Sequence, residues 1–198
     1  MGINTANLAA MIGSRICHDL ISPIGAINNG LELLEMAGSM SGPELGLIAD
    51  SVENADARIR FFRIAFGASG DQILSAAEIR LVLADLSKAG RTEYHWRPEA
   101  GCPRGAVRLA FLAIMCCETA MPYGGTIHVD TSGRDWSVKG VTAETKLDAD
   151  LWNTLSDPTS CGDITPALVQ FALLPALALE DDRRIKVTAT PDTVELRF

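Results

Sequence analysis

Two long apolar stripes with helical spacing occupy the first third of the chain, and they limit its possible folds more than any other feature. The first predicts a helix over Leu8–Met36 and the second a helix over Leu45–Phe66. The steps of the second stripe alternate strictly between three and four residues, the heptad spacing of helical bundles. The first stripe contains Ile12, Ile16, Leu20, Ile24, Ile27, Leu31 and Leu34. The second contains Leu45, Ile48, Val52, Ala55, Ile59, Phe62 and Phe66.

The break between the stripes, Ala37–Gly42, is rich in glycine and serine, so we expect the two helices to form an antiparallel hairpin. A hairpin of this kind cannot bury both apolar stripes by itself. Pairing with a second copy would build a four-helix bundle with a shared core, and we therefore expect a homodimer through residues 1–67. The alternative is that the hairpin packs against the rest of its own chain.

After a short predicted linker, Gly67–Gln72, the pattern becomes mixed, and residues 73–198 form a second predicted domain. Its predicted helices are Ser75–Ala89, Arg104–Met121, Asp148–Ser156 and Thr165–Leu179. Its predicted strands are Thr92–Arg97, Gly124–Ser132, Trp136–Lys146 and a closing hairpin over Arg184–Phe198. This order predicts an α/β sandwich with helices on one face of a sheet, so the fold class is α + α/β.

Composition and charge exclude several functions. The formal net charge is −8 and the isoelectric point is near 4.8, which argues against a nucleic-acid partner because phosphate binding needs a basic surface. The longest apolar run, Phe171–Leu179, is too short to cross a bilayer, and no signal peptide is recognisable. Five cysteines without CxxC spacing predict free thiols and no metal site. We expect a cytoplasmic protein with no membrane partner.

His18 stands alone in the first predicted helix, and a lone helical histidine is more often structural than functional. Small or polar residues recur with it every three or four positions and form a stripe beside the apolar one. The members of this polar stripe are Ser14, His18, Ser22, Gly25 and Asn29. We therefore expect His18 to be exposed, with room for another protein surface to approach its imidazole.

Two roles are open for Asp19, the acid that follows His18. It lies four residues after Arg15 and can form a weak ion pair on the helix surface. It can instead accept a hydrogen bond from the imidazole Nδ1–H, which leaves Nε2 free as a nucleophile. Pro23 lacks a backbone donor in mid-helix, at a cost of about 3 kcal/mol, and predicts a tolerated local distortion.

The segment HDLISP, His18–Pro23, resembles the H-box of two-component histidine kinases. The longer run SRICHDLISPIGAINNGLELLE, Ser14–Glu35, is similar to the ChpT-type histidine phosphotransferases of bacterial phosphorelays. The resemblance implies that His18 carries the phosphoryl group. It assigns supporting roles to Asp19, Ser22 and Pro23, and a receiver-docking surface to Ser14, Arg15, Gly25 and Asn29.

The second domain resembles a kinase ATPase (Bergerat) domain that has lost its nucleotide site. Leu109–Val129 is similar to the helix–turn–strand around the kinase N-box, but Cys116 stands where the family has its Mg²⁺-binding asparagine. A neutral thiol is a poor Mg²⁺ ligand. Val138–Asp148 contains no Asp-x-Gly motif, and Gly162 is the remaining glycine where a glycine-rich lid is expected. We expect no ATP binding and no cofactor in this chain.

Three functions remain to be compared. The first is a histidine phosphotransferase that accepts phosphate on His18 from the receiver domain of a hybrid histidine kinase and passes it to response regulators. The resemblance implies that Mg²⁺ sits in the partner receiver. The second is a divergent ATP-dependent histidine kinase, and the third is a non-catalytic dimeric adaptor. His95 and His128 lie in predicted strands without acidic partners at metal or triad spacing, and we interpret both as structural.

Overall fold

A computed structural model describes residues 5–37, 43–68, 70–88, 90–157 and 164–198. The chain begins with the expected helical hairpin, helix α1 over Thr5–Ala37 and helix α2 over Pro43–Ala65. Pro43 suits the first turn of α2, where a missing N–H costs nothing. The break at 38–42 lies outside the described residues, as do Cys161 and Gly162. No helix among the described residues is both long and apolar enough to span a bilayer.

Helix α1 continues through Pro23, which is buried. Proline has no N–H, so the carbonyl of Asp19, four residues earlier, lacks its usual helical donor. The hairpin helices are in close contact at Gly30, where a Cβ atom would lie 2.5 Å from Cγ1 of Ile48. Only glycine permits this spacing without displacement of the Ile48 side chain.

The remainder of the chain forms an α/β layer structure, as the sequence predicts. Its helices are α3 (Ala76–Lys88), α4 (Arg104–Ala120), α5 (Ala149–Ser156) and α6 (Val169–Glu180), the last preceded by a 3₁₀ turn, Pro166–Leu168. Its strands are β1 (Ile73–Leu74), β2 (Thr92–Trp96), β3 (Cys102–Pro103), β4 (Gly125–Ser132), β5 (Asp135–Val141), β6 (Lys186–Ala189) and β7 (Thr193–Arg197).

Five strands form one mixed sheet in the order β2-β4-β5-β7-β6. Strand β2 runs parallel to β4, with Trp96 opposite Val129, and the other neighbours are antiparallel. Strand β4 starts at two glycines because the backbone requires them: Gly124 has φ +81°, and a Cβ there would lie 2.1 Å from the carbonyl oxygen of Arg91. The turn at Gly124 and Gly125 therefore allows the backbone to pack closely against Arg91.

Several boundaries differ from the sequence-based prediction. The strand predicted over Trp136–Lys146 ends at Val141, and the helix predicted over Thr165–Leu179 begins as the 3₁₀ turn. The two-residue strands β1 and β3, which pair antiparallel, were not predicted because they are too short to show periodicity. Helix α3 has a side-chain cap at its start, because Ser75 Oγ accepts from the Glu78 amide at 3.1 Å.

The end of α2 packs into the core of the α/β layer. Phe61, Phe62 and Ile64 are buried, and the ring of Phe61 stacks on Phe111 of α4 with centroids 4.7 Å apart. Farther along the hairpin, the second stripe stays open, since Leu45, Val52 and Ile59 are each more than 40% exposed. The hairpin thus packs against its own chain, as the alternative to dimerisation supposed, with Leu8, Ile12 and Ile16 of α1 also in contact with the core, and it leaves other apolar side chains exposed within this chain.

Candidate functional site

His18 projects from α1 with 82% of its side chain exposed, as its place in the polar stripe predicted. Its Nδ1 lies 3.2 Å from Asp19 Oδ1. A carboxylate can only accept, so this contact places the ring proton on Nδ1 when the imidazole is neutral. The lone pair of Nε2 then points to solvent, which is the state of a ring nitrogen that can attack an electrophile.

Asp19 fulfils both roles that the sequence left open. Its Oδ1 faces His18, and its Oδ2 accepts from Arg15 Nε at 2.9 Å. A second guanidinium, Arg58 of α2, places Nη1 3.8 Å from the same Oδ2. Only 11% of the Asp19 side chain is exposed, so these contacts are less screened by water than a surface ion pair.

The other predicted site residues lie along the same face of α1. Ser14, Ser22 and Asn29 are exposed, and a Cβ added at Gly25 would meet no heavy atom within 4 Å. Gly25 therefore leaves an open, low surface. Arg15, predicted as part of the docking surface, is turned inward to Asp19 and also donates to the carbonyl of Ala167 in the 3₁₀ turn.

The sequence did not indicate that side chains of α4 and β2 lie near this site. Glu118 of α4 accepts a hydrogen bond from the hydroxyl of Tyr94 in β2. Burial raises the pKa of Glu118, while the Tyr94 hydrogen bond and the charges of Arg15 and Arg58 oppose the rise. Burial and the nearby Glu118 carboxyl also raise the pKa of Tyr94, so its hydroxyl stays protonated and donates.

Arg58 contacts the site through Asp19 but is not among the residues that the sequence predicted for it. A signal was present, because Arg58 lies three residues after Ala55 and four before Phe62. Helical periodicity places Arg58 beside the second stripe, on the side of α2 that faces α1. Its partner on α1 was not evident, since local spacing does not give the register between two helices.

The kinase N-box position offers no surface to a ligand in this structure. Cys116 and Cys117 are fully buried in α4, and Cys117 Sγ donates weakly to the carbonyl of Val138 at 3.8 Å. Burial raises the pKa of both thiols. Across the described ranges, no three His, Cys, Asp or Glu side chains are grouped so as to hold a metal ion. His95 and His128 stack on neighbouring strands, with ring centroids 5.0 Å apart.

The class of protein follows from comparison with solved structures. The chain superposes on a solved bacterial phosphotransferase with a TM-score of 0.82 and 29% sequence identity, covering 100% of this chain and 98% of that one. The helical hairpin and the α/β layer therefore match a phosphotransferase over their whole length.

The family is shown by two further comparisons. Residues 76–193 match the family model for the histidine phosphotransferase C-terminal domain. Protein phosphotransferase ChpT of Brucella abortus (strain 2308) is 38% identical over 136 residues, which are 67% of this chain and 65% of that protein. The chain belongs to the histidine phosphotransferase family. The aligned region spans just under two thirds of that relative's length.

Proposed function

We propose that this protein is a phosphohistidine carrier of a bacterial phosphorelay. His18 accepts a phosphoryl group from the aspartate of a receiver domain in a hybrid histidine kinase and passes it to the aspartate of a response regulator. One observation carries the proposal: an exposed imidazole whose Nδ1 faces a carboxylate, which leaves Nε2 open. Membership of the histidine phosphotransferase family supports the same chemistry.

Phosphoryl transfer from the receiver aspartate to His18 needs no outside proton donor. Nε2 of the neutral ring attacks the phosphorus of the aspartyl phosphate, an N–P bond forms, and the P–O bond to the receiver carboxylate breaks. The phosphorylated ring keeps its Nδ1 proton and gains a positive charge, which the Asp19 carboxylate stabilises at 3.2 Å. The reverse sequence delivers the phosphoryl group to the second receiver.

Positioning and charge stabilisation supply most of the rate in such transfers. We expect the Mg²⁺ to reside in the acidic pocket of the receiver, with no metal or cofactor held by this chain. The docking surface consists of the polar stripe around His18, bordered by Arg15, and its low point is Gly25, where a helix of the receiver can approach closely. In this proposal Ser22, exposed one turn after His18, contacts the transferring group.

The functional unit in this proposal is a cytoplasmic homodimer joined through residues 1–67. Exposed apolar side chains on both hairpin helices support it, because a monomer would leave them in water. The most exposed on the two helices are Ile21, Ile24, Leu31, Leu33, Met36, Leu45, Leu47, Val52 and Ile59. A second hairpin would cover them in a four-helix bundle.

The proposal includes no phosphorylation from ATP. The fully buried thiol at Cys116 supports this part, since a nucleotide-bound Mg²⁺ requires an accessible oxygen ligand there. A divergent kinase would label His18 from ATP without any receiver. A dimeric adaptor would bind its partners equally well with or without the imidazole.

A relay assay tests the assignment. The protein is incubated with a receiver domain phosphorylated on its aspartate, and we expect acid-labile label on the wild type and none on His18→Ala. The matched control is His95→Ala, which removes a histidine 44% exposed on the open face of the sheet and should leave labelling unchanged.

Three results would contradict the proposal in different ways. Label on His18→Ala would remove His18 from its role. Label from ATP alone would identify a kinase. A wild type that binds receivers without accepting phosphate would identify an adaptor.

A further inference from the structure

Asp19 divides its two carboxylate oxygens between different partners. Oδ1 faces the Nδ1 of His18, whereas Oδ2 faces both guanidinium groups, Arg15 from α1 and Arg58 from α2. A carboxylate with one free oxygen can rotate or turn to solvent. Here Oδ2 accepts a hydrogen bond from Arg15 Nε at 2.9 Å and lies within ion-pair distance, 3.8 Å, of Arg58 Nη1, so two cations on separate helices restrict the plane of the carboxylate.

We propose that Arg15 and Arg58 are positioning residues for the phosphoacceptor. Arg15 holds Oδ2 through a hydrogen bond and Arg58 attracts it through its charge; together they reserve Oδ1 of Asp19 for the imidazole Nδ1–H and thereby select the His18 tautomer with a free Nε2 directed outward. Neither residue touches the transferring group. This inference rests on the proposed phosphotransfer at His18 and adds the groups that prepare the ring for it.

Both guanidinium groups are themselves held in place. Arg58 Nε donates to Asn54 Oδ1, one turn earlier on α2, at 2.9 Å. Arg15 donates to the carbonyl of Ala167, so the 3₁₀ turn of the α/β layer holds it from the other side. Asp19 is therefore oriented by three elements: its own helix, the second hairpin helix and the second domain.

Glu118 is another acid whose carboxyl interacts electrostatically with both Arg15 and Arg58. Its carboxyl accepts from the Tyr94 hydroxyl, and burial raises its pKa, which makes it a weaker competitor for the guanidinium groups. The positive charge of Arg15 and Arg58 consequently remains directed at Asp19.

After phosphoryl transfer Asp19 has a second role, because the ring that it contacts is then positively charged. Once the ring is a phospho-imidazolium, its positive charge faces Oδ1 of Asp19, and Arg15 and Arg58 keep the carboxylate directed at it. The same arrangement thus selects the reactive tautomer before transfer and stabilises the charged ring after it.

The test reads the tautomer of His18 directly, without any receiver. Ring-nitrogen NMR of the ¹⁵N-labelled protein distinguishes the Nδ1–H from the Nε2–H form. We expect Nδ1–H in the wild type and a shift toward Nε2–H in Arg58→Gln, Arg15→Gln and the double variant. The rate of phosphoryl acceptance should fall about tenfold or more in parallel, as for other groups that orient a functional histidine.

The matched control is Arg60→Gln. Arg60 lies two residues from Arg58 with similar exposure, but its ion pairs are with Asp56 and Asp85, at 2.8 and 3.0 Å. This variant should lose some stability and leave the His18 tautomer unchanged. Arg58→Lys, which keeps a cation but not the fork geometry, should give an intermediate tautomer ratio and also serves if Arg58→Gln does not fold.

Two outcomes would overturn the inference. One is a wild-type ring that is not predominantly Nδ1–H. The other is a set of folded arginine variants with unchanged tautomer ratio and transfer rate. Failure of the proposed function is separate, because it would appear as absence of label on the wild type whatever its tautomer.

Discussion

Helices α1 and α4 are both long and rich in apolar residues, but they are used in opposite ways. In α4, twelve of seventeen residues are buried, from Ala106 to Ala120. In α1, which has 33 residues, Pro23 and Gly30 alone are buried among the described side chains. Helix α4 is covered by its own chain, whereas α1 packs Leu8, Ile12 and Ile16 on the core and leaves other apolar side chains and most of its polar stripe exposed.

The difference separates a buried helix from one that presents polar side chains to solvent. Each helix carries an acid near the site: Glu118 in α4 is bound by a tyrosine in the interior, and Asp19 in α1 is bound beside an exposed histidine. Cys116, which the resemblance assigns to the kinase N-box position, is part of the core. The proposed chemistry lies on the helix that stays exposed.

The largest effect should follow from damage to α4. Phe111 is fully buried and stacks on Phe61 of α2, so Phe111→Ala should cost about 3–5 kcal/mol of unfolding free energy. Denaturant unfolding measures the cost. Leu81→Ala, at a position 57% exposed on α3, is the control and should stay within about 0.5 kcal/mol. A cost below about 1 kcal/mol for Phe111→Ala would contradict the central role of α4.

A smaller effect should follow from a charge on the open part of α2. Val52 is 50% exposed, so Val52→Asp should leave the monomer folded while weakening the proposed dimer at least about tenfold, or about 1.4 kcal/mol. Molar mass by light scattering at several concentrations measures this. The control is Gly46→Asp, at an exposed position of α2 outside the second stripe, where an added Cβ meets nothing within 4 Å. A dimer unaffected by Val52→Asp would place the interface elsewhere.

The smallest effect concerns the buried acid. Burial raises the pKa of Glu118 above its ordinary 4.5, so the folded state holds this proton over a range where the unfolded chain has lost it. Wild-type stability relative to Glu118→Gln should therefore fall as pH rises above about 4.5 and level off above the folded pKa. Unfolding at several pH values measures the difference. Glu99→Gln, at an exposed position, should show no such trend, and a flat wild-type difference would contradict the assignment.

Features that depend on local periodicity were predictable from the sequence. The hairpin, helix α4 and the exposure of His18 each follow from residues within a few turns of one another. The identity of Cys116 is consistent with a core position where the resemblance expects the N-box. Its complete burial, however, depends on tertiary contacts that the sequence does not show.

Features that depend on contacts between elements were not predictable. Phe62 belongs to the same apolar stripe as Val52, yet Phe62 is buried against the α/β layer and Val52 is half exposed. The contact of Arg58 with Asp19 requires the register of two helices, and that of Arg15 with Ala167 joins residues 152 positions apart. No local pattern contains that information.

The contact of Gly30 with Ile48 fixes the axial alignment of the hairpin. From there to the Asp19–Arg58 pair is 11 residues along α1 (30 − 19) and 10 along α2 (58 − 48), about 15–17 Å at about 1.5 Å per residue. A slide of one helical turn, about 5.4 Å, would carry Arg58 out of reach of the carboxylate. A residue without a side chain, about three turns from His18, therefore helps to set which cation faces the acid beside the proposed phosphoacceptor.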